Sequence, residues 1–244
     1  MSGLIVIPAR RASTRFPGKP LAMIAGVSLI QRVYERAAGS RRAAAVYVAT
    51  DDDRIFRHVV DFGGRAVRPH GDFQSGTDRI AAALAVIEKS EGRAYDRVVN
   101  VQGDEPLIDV RSVDAVLDVL AEAGVDMATL ACPIDTDEEY LSRDVVKVVR
   151  DNRGDALYFS RAAIPYGGRG QALRHVGLYG YQARVLRTFA SMPPSPLERA
   201  ESLEQLRALQ NGFKIRVLLT NKPHLGVDRP EDVARVETEL AKDA

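Results

Sequence analysis

The sequence predicts an α/β fold: a mostly parallel sheet flanked by helices, with a smaller α+β insertion. Short β-branched runs alternate with amphipathic helical patterns through the first half of the chain. After Gly124 the character changes, and β-rich runs follow one another through polar turns. A basic loop follows the first apolar run, where open α/β sheets bind ligands outside the carboxyl ends of their strands.

Residues 4–8 read as a short buried strand. Leu29, Ile30, Val33, Tyr34 and Ala37 recur at helical spacing, with Gln31, Arg32, Glu35 and Arg36 opposite. Residues 45–49 form the next strand, and Thr50-Asp51-Asp52-Asp53 starts a helix with acid at its positive end. Gly63-Gly64 stops that helix, and residues 66–67 are a brief third strand. This βαβαβ order predicts parallel pairing with right-handed crossovers. Ser75 and Asp78 have capping-box spacing before an apolar helix at 80–87. A central strand at 97–101 leads into Gln102-Gly103-Asp104-Glu105-Pro106, and a helix covers 110–123.

Residues 126–133 read as a strand. Runs at 145–149 and 156–159 flank the polar turn 150–155 and predict a hairpin. A strand at 174–181, helices at 184–190 and 198–209, a strand at 214–218 and a last helix at 228–240 complete the chain. The expected division is an α/β core of 1–132 plus 206–244, with 133–205 inserted. No 20–50-residue repeat is present.

The 244 residues are 45% hydrophobic, enough for a sizeable core, and the net charge of +1 gives no overall basic field for nucleic acid. Positive charge is instead concentrated locally, at Arg10, Arg11, Arg15 and Lys19. The lone Cys132 cannot form an internal disulfide, which fits a cytoplasmic setting, and its apolar neighbours suggest a buried strand position. No apolar run approaches the roughly 20 residues that span a bilayer, and the first strand starts too early to leave room for a signal peptide.

Several residues admit two readings. The basic loop is either a solvated surface loop or a phosphate site, since arginine forks and a lysine point charge match phosphate oxygens. It is not a P-loop, because Pro17-Gly18-Lys19-Pro20 lacks the earlier glycine and the following Ser or Thr. Asp104 is either an Asx-turn residue or a Mg²⁺ ligand at a strand's carboxyl edge. Asp228 is either a helix N-cap, with Glu231 completing a capping box, or the second metal carboxylate. His58, His70, His175 and His224 lack zinc-ligand spacing. Gly167-Gly168-Arg169-Gly170 reads as a flexible loop outside any dinucleotide-binding context, which argues against an oxidoreductase.

These elements together resemble a known family. Ile7-Pro8-Ala9-Arg10, Ser13-Thr14-Arg15 and Pro17-Gly18-Lys19-Pro20 resemble the nucleotide-binding loop of CMP-Kdo synthetases, the 3-deoxy-manno-octulosonate cytidylyltransferases. So do Ala49-Thr50-Asp51, Gln74-Ser75-Gly76-Thr77-Asp78-Arg79 and Asn100-Val101-Gln102-Gly103-Asp104-Glu105-Pro106. Phe159-Ser160-Arg161, Arg174-His175-Val176-Gly177-Leu178-Tyr179-Gly180-Tyr181, Glu204-Gln205 and Gly226-Val227-Asp228 continue the match, in order, over essentially the whole chain. Two features depart from the pattern: Phe73 stands where the family usually has His, and the segment 166–172 is short and Gly-rich.

The resemblance implies a Rossmann-like fold of the nucleotide-diphospho-sugar transferase type. It implies CMP transfer from CTP to Kdo with release of pyrophosphate, for lipopolysaccharide or capsule synthesis. By the same resemblance Ala9, Arg10, Arg15, Lys19, Ser75 and Gln102 bind the nucleotide, and Asp104 and Asp228 hold Mg²⁺. Lys19, Arg10, Asp104 and Asp228 form the catalytic set. Arg161, His175, Tyr179, Glu204 and Gln205 line the sugar site, His175 being otherwise a core histidine and Glu204-Gln205 the wet face of a helix. The resemblance also implies a homodimer joined through the insertion. The competing readings are CMP transfer to 8-amino-Kdo or a sialic-acid-like sugar, and a catalytically silent nucleotide-binding module.

Overall fold

The computed structural model describes residues 2–10, 15–71, 73, 75–221 and 225–242. Its elements run in chain order as follows. β1 (Gly3–Ala9) leads through a 3₁₀ turn (Lys19–Leu21) to a small hairpin, β2 (Met23–Ile24) and β3 (Val27–Ser28). Then come α1 (Leu29–Ala38), β4 (Ala43–Thr50), α2 (Asp53–Asp61), β5 (Ala66–Val67), α3 (Gly76–Glu91), β6 (Arg97–Asn100) and α4 (Val110–Val119). The second half holds β7 (Met127–Pro133), α5 (Asp137–Leu141), β8 (Lys147–Arg150), β9 (Ala156–Ser160), β10 (Leu173–Gln182), α6 (Ala183–Ala190), α7 (Pro196–Glu201), α8 (Gln205–Gln210), β11 (Ile215–Leu219) and α9 (Asp232–Leu240).

The chain divides into two compact units, Met1–Leu117 with His224–Ala244, and Asp118–Pro223. The second unit is therefore larger than the expected insertion of 133–205. The reason is pairing: β7 and β11, which the expected division leaves in the core, lie against each other, and β7 also pairs with β10.

In the first unit the strand order is β6-β1-β4-β5, and every pair is parallel. Leu4, Ile5, Val6 and Ile7 of β1 are fully buried. Each such side chain contributes roughly 1.5–3 kcal/mol on burial, and a strand covered on both faces reads as an unbroken apolar run for that reason. Asp52 caps α2, accepting from the N–H groups of Arg54 and Ile55. The Ser75–Asp78 capping box forms as its spacing predicts and opens α3, a longer helix than 80–87.

In the second unit β7 pairs in parallel with β11 and antiparallel with β10, while β8 pairs antiparallel with both β9 and β10. The β8–β9 hairpin is as expected, with Gly154 at φ 89 in its turn. The single helix expected at 198–209 is two. Ser202 adopts φ 54, a left-handed conformation that ends α7, and α8 starts afresh at Gln205. Cys132 is buried in β7. The Gly-rich segment near 167 is no free loop either: it forms a 3₁₀ turn at Arg169–Gln171, with Arg169 Nη1 donating to the Asp135 carbonyl at 2.9 Å. Among the described residues no helix is long and apolar enough to cross a membrane.

Candidate active site

The loop after β1 is bent by its own sequence. Gly18 takes φ 74, and Pro20 pre-sets the first turn of the 3₁₀ segment. Leu21 N–H donates to the Gly18 carbonyl at 2.9 Å. This turn delivers the Lys19 side chain, 14% exposed, to two carboxylates: Nζ lies 2.7 Å from Asp104 Oδ2 and 3.6 Å from Asp228 Oδ1. Arg15 Nη1 lies 3.5 Å from Asp228 Oδ2, in an exposed pair.

Asp104 is placed by a close approach of two backbones. A Cβ on Gly103 would sit 2.7 Å from the Pro8 carbonyl oxygen, so only glycine lets the segment after β6 lie against the end of β1. The Asp104 carbonyl in turn accepts from Val227 N–H at 2.8 Å, bringing the segment before α9 alongside. The N-cap reading of Asp228 fails. α9 starts at Asp232, whose Oδ2 accepts from the N–H groups of both Asp228 and Arg229 at 2.9 Å. Those bonds hold the Asp232 carboxyl below its ordinary range. The Asp228 side chain is left to face Lys19 and Arg15.

These groups line an open cleft of about 420 Å³, together with Pro8, Ala9, Arg10, Pro20, Gly76, Gln102 and Gly103. It lies past the carboxyl ends of β1 and β6, where the fold predicts a ligand. Ser75 is placed differently from expectation. Its Oγ caps α3 by accepting from Asp78 N–H at 3.1 Å, and the cleft wall there is Gly76. Arg11, Ser13, Thr14, Gln74 and His224 lie outside the described residues. Phe73, the departure from the family pattern, lies under the guanidinium of buried Arg79, 5.3 Å from the ring centre. Arg79 also donates to Asp51 Oδ2 at 2.8 Å, which lowers the Asp51 pKa.

In the second unit His175 and Tyr179 lie on β10 with their rings in contact, and Glu204 is near enough to act on Tyr179. The pairing of β10 with β7 slips between Val176 and Tyr179: Val176 stands opposite Leu130 and Tyr179 opposite the adjacent Thr129. Thr129 serves this bulge: its hydroxyl donates to the Leu178 carbonyl at 2.8 Å and faces His175 Nε2 at 3.0 Å. With the hydroxyl proton so used, Nε2 carries the imidazole proton and donates. Burial pushes the His175 pKa down to about 3, so the ring is neutral across the physiological range. Its ring centre is 5.2 Å from those of Phe159 and Tyr179. Burial, first of all, raises the Tyr179 phenol, and the charges of Tyr181 and Glu204 add to it. Glu204 Oε1 is 3.4 Å from Arg207 Nη2, and Gln205 is buried at the start of α8. Arg161 Nη2 reaches the Ser202 carbonyl at 3.5 Å, two residues before Glu204.

The cytidylyltransferase family profile matches residues 4–215. The chain is 50% identical to the 3-deoxy-manno-octulosonate cytidylyltransferase of Syntrophotalea carbinolica (strain DSM 2380 / NBRC 103641 / GraBd1), over 98% of this chain and 99% of that protein. The chain belongs to the 3-deoxy-manno-octulosonate cytidylyltransferase family. It is also 43% identical to the 8-amino-3,8-dideoxy-manno-octulosonate cytidylyltransferase of Shewanella sp. (strain W3-18-1), over 99% of both chains. Among solved structures it superposes on a CMP:2-keto-3-deoxy-manno-octonic acid synthetase complexed with CTP, with TM-score 0.92, 42% identity and full coverage of both chains. This family member is thus a nucleotidyltransferase with a Rossmann-like, mostly parallel α/β fold.

In this cytidylyltransferase the two acidic residues suit a hard cation. No group of three or more His, Cys, Asp or Glu side chains is placed to hold a metal among the described residues. Asp104 and Asp228 nonetheless converge on a single cationic nitrogen, that of Lys19. A pair of carboxylates completed by substrate phosphates is the donor set Mg²⁺ prefers.

Sequence reasoning missed three residues that hold the sites together. Gly103 carried no signal beyond being a glycine before Asp104. Asp232 was masked by the stronger capping pattern at Asp228. Lys147 was visible as a lone charge in Val145-Val146-Lys147-Val148-Val149, a pattern that demands an explanation wherever the strand is buried.

Proposed function

We propose that this chain transfers the cytidylyl group of CTP to the anomeric hydroxyl of Kdo, giving CMP-Kdo and pyrophosphate. The observation that carries this reading is the convergence of Lys19 with Asp104 and Asp228 in a cleft that also holds Arg10 and Arg15. Such a set matches a triphosphate and its counter-ion. The full-length similarity to cytidylyltransferases of this sugar supports the choice of base and acceptor.

In the proposed reaction the anomeric oxygen attacks the α-phosphorus, forming the new P–O bond. The bond to the β-phosphate bridging oxygen breaks, and the hydroxyl proton passes to solvent. The protein forms no covalent intermediate, so its contribution is positioning and charge stabilisation. Lys19, Arg10 and Arg15 hold the triphosphate and stabilise the departing pyrophosphate. Ala9 and Gln102, with the Ser75-capped start of α3, place the nucleoside. Asp104 and Asp228 would hold Mg²⁺, which when bound withdraws charge from phosphoryl oxygens and lowers the pKa of a bound hydroxyl. With Asp104 and Asp228 holding the ion, Lys19 Nζ, which they now share, would serve the phosphate oxygens.

Arg161 provides the cation for the sugar carboxylate, and His175, Tyr179, Glu204 and Gln205 provide the polar set for its hydroxyls. A neutral His175 suits hydrogen bonding to a hydroxyl better than pairing with an acid. We propose further that the protein works in the cytoplasm, without a membrane or nucleic-acid partner, and as a homodimer joined through its second unit, for lipopolysaccharide or capsule synthesis. Light scattering on the purified protein tests the dimer.

The decisive assay is pyrophosphate release with CTP, Mg²⁺ and Kdo, run beside 8-amino-Kdo and a sialic acid. Release that depends on Kdo is expected. A preference for 8-amino-Kdo or the sialic acid reassigns the substrate. CTP binding without turnover on any of the three sugars overturns the enzymatic reading.

A further inference from the structure

The short helix α7 carries two glutamates, and each holds an arginine. Glu198 takes Arg207 in a bidentate pair at 2.8 and 2.6 Å. Glu201 does something less ordinary with Arg161. Its carboxylate does not pair with the guanidinium. Instead Oε2 accepts from the backbone N–H of Arg161 at 2.9 Å, and Oε1 accepts from the Ser160 hydroxyl at 2.7 Å. The guanidinium is held by carbonyl oxygens alone: Nε donates to Glu201 at 2.9 Å, Nη1 to Arg143 at 3.1 Å and Nη2 to Ser202 at 3.5 Å. Among the described residues Arg161 forms no ion pair.

The other end of the Arg161 peptide is fixed from below. Lys147 is fully buried, and its three N–H donors meet three carbonyls, those of Ser142 at 2.7 Å, Val145 at 2.6 Å and Arg161 at 2.7 Å. A buried ammonium without a carboxylate is costly, and here its whole donor capacity is spent on backbone. Burial accordingly lowers its pKa. The backbone of Arg161 is therefore clamped on both sides, on its N–H by Glu201 and on its carbonyl by Lys147.

We propose that Glu201 and Lys147 are positioning residues that present Arg161 as a fixed, un-neutralised cation for the carboxylate of an acidic sugar. The proposal rests on Arg161 being the sugar-carboxylate ligand of the proposed reaction. Carbonyl oxygens orient a guanidinium without cancelling its charge, and three of its five N–H groups are used, leaving two for an incoming carboxylate. Had Glu201 turned its carboxylate to the guanidinium, an arriving acid would have had to displace it.

The test compares wild type with Glu201→Gln, Lys147→Met, Arg161→Ala and the double variant Glu201→Gln/Arg161→Ala. Melting temperature, kcat and separate KM values for CTP and sugar are measured. Glutamine keeps the volume of Glu201 but offers one acceptor oxygen for two donors. About a tenfold rise in sugar KM is expected for Glu201→Gln, with CTP KM within about twofold of wild type. In the Arg161→Ala background the same change is expected to have no further effect, because Glu201 acts through Arg161. Lys147→Met should shift the same KM but also lower the melting temperature, so Glu201→Gln is the variant that decides. An effect of Glu201→Gln that persists without Arg161, or that raises both KM values together, overturns the proposal. A wild type that turns over none of the acidic sugars removes the functional reading instead. The clamp is then read directly from exchange of the Arg161 Nε–H in nitrogen-15 spectra: faster exchange in Glu201→Gln keeps the clamp, and unchanged exchange overturns it.

Discussion

Gly103→Ala is a one-methyl perturbation whose outcome the geometry fixes. The added Cβ would meet the Pro8 carbonyl oxygen at 2.7 Å, and to reach a tolerable separation of 3.0–3.4 Å the two backbones must part by 0.3–0.7 Å. Neither partner is the far end of a flexible side chain, so the strain goes into the pairing of β1 with the segment after β6. Overpacking of this kind costs about 1–3 kcal/mol. For a chain of this size that corresponds to a fall in melting temperature of roughly 2–12 °C. The displacement also moves the neighbouring Asp104 away from Lys19, with which it now makes a 2.7 Å contact. Misplacement on this scale should lower kcat by about 10- to 100-fold. Gly226→Ala is the matched control, because its Cβ would lie at an ordinary 3.7 Å from the Asp104 carbonyl. Thermal melts and pyrophosphate release on both variants check this. Wild-type melting and turnover in Gly103→Ala, or equal damage in Gly226→Ala, would refute the close-approach argument.

The two aspartates at the start of α9 should separate cleanly. Asp228→Asn is expected to abolish turnover with the melting temperature unchanged, whereas Asp232→Ala should cost about 1 kcal/mol of stability by removing the one oxygen that accepts from two N–H groups; melts and kinetics on the pair decide. His175 makes stability pH-dependent. Its folded pKa of about 3 lies below its unfolded value of 6.5, so the unfolded chain binds the extra proton and stability is lost as pH falls through 6.5. Between pH 7 and pH 5 the wild type should lose about 2 kcal/mol more than His175→Phe, measured by urea unfolding.

Much of this structure is legible in its residues. The parallel core follows from unbroken β-branched runs alternating with amphipathic helices, and the Ser75–Asp78 box announces α3. The cleft residues Arg10, Arg15, Lys19 and Asp104 are also found from the sequence, since a basic loop after a first strand and an acid after a central strand have one common address in such a sheet, whereas Asp228 was indicated only by the family resemblance. What sequence could not supply were features set by non-local approach. The contact of residue 103 with residue 8 depends on the register of β6 against β1, which no local pattern encodes. The boundary of the second unit depends on β7 choosing β11 and β10, a choice among apolar strands of similar composition. The break at Ser202 was hidden because a serine in the left-handed region has no signature comparable to a glycine there. At Asp228 two sound local arguments competed, and in the fold α9 starts only at Asp232, whose carboxylate instead accepts from the N–H groups of Asp228 and Arg229.

The bulge between Val176 and Tyr179 has a consequence for how this protein can vary. His175 and Tyr179 are four residues apart, a separation of about 13 Å along an ordinary strand. Here they stand opposite Ala131 and Thr129, two positions apart on β7, with ring centres 5.2 Å from each other. Against β7 two surplus residues stand between the paired positions, and two is the smallest number that leaves the pleat parity intact. Gain or loss of the pair spares the facing of everything downstream on β10. Gain or loss of a single residue would turn Tyr179, Gly180 and Tyr181 inside out. Length variation in this strand among descendants of this sequence should therefore come in steps of two, and Thr129, which donates to the Leu178 carbonyl inside the bulge, should change whenever it does.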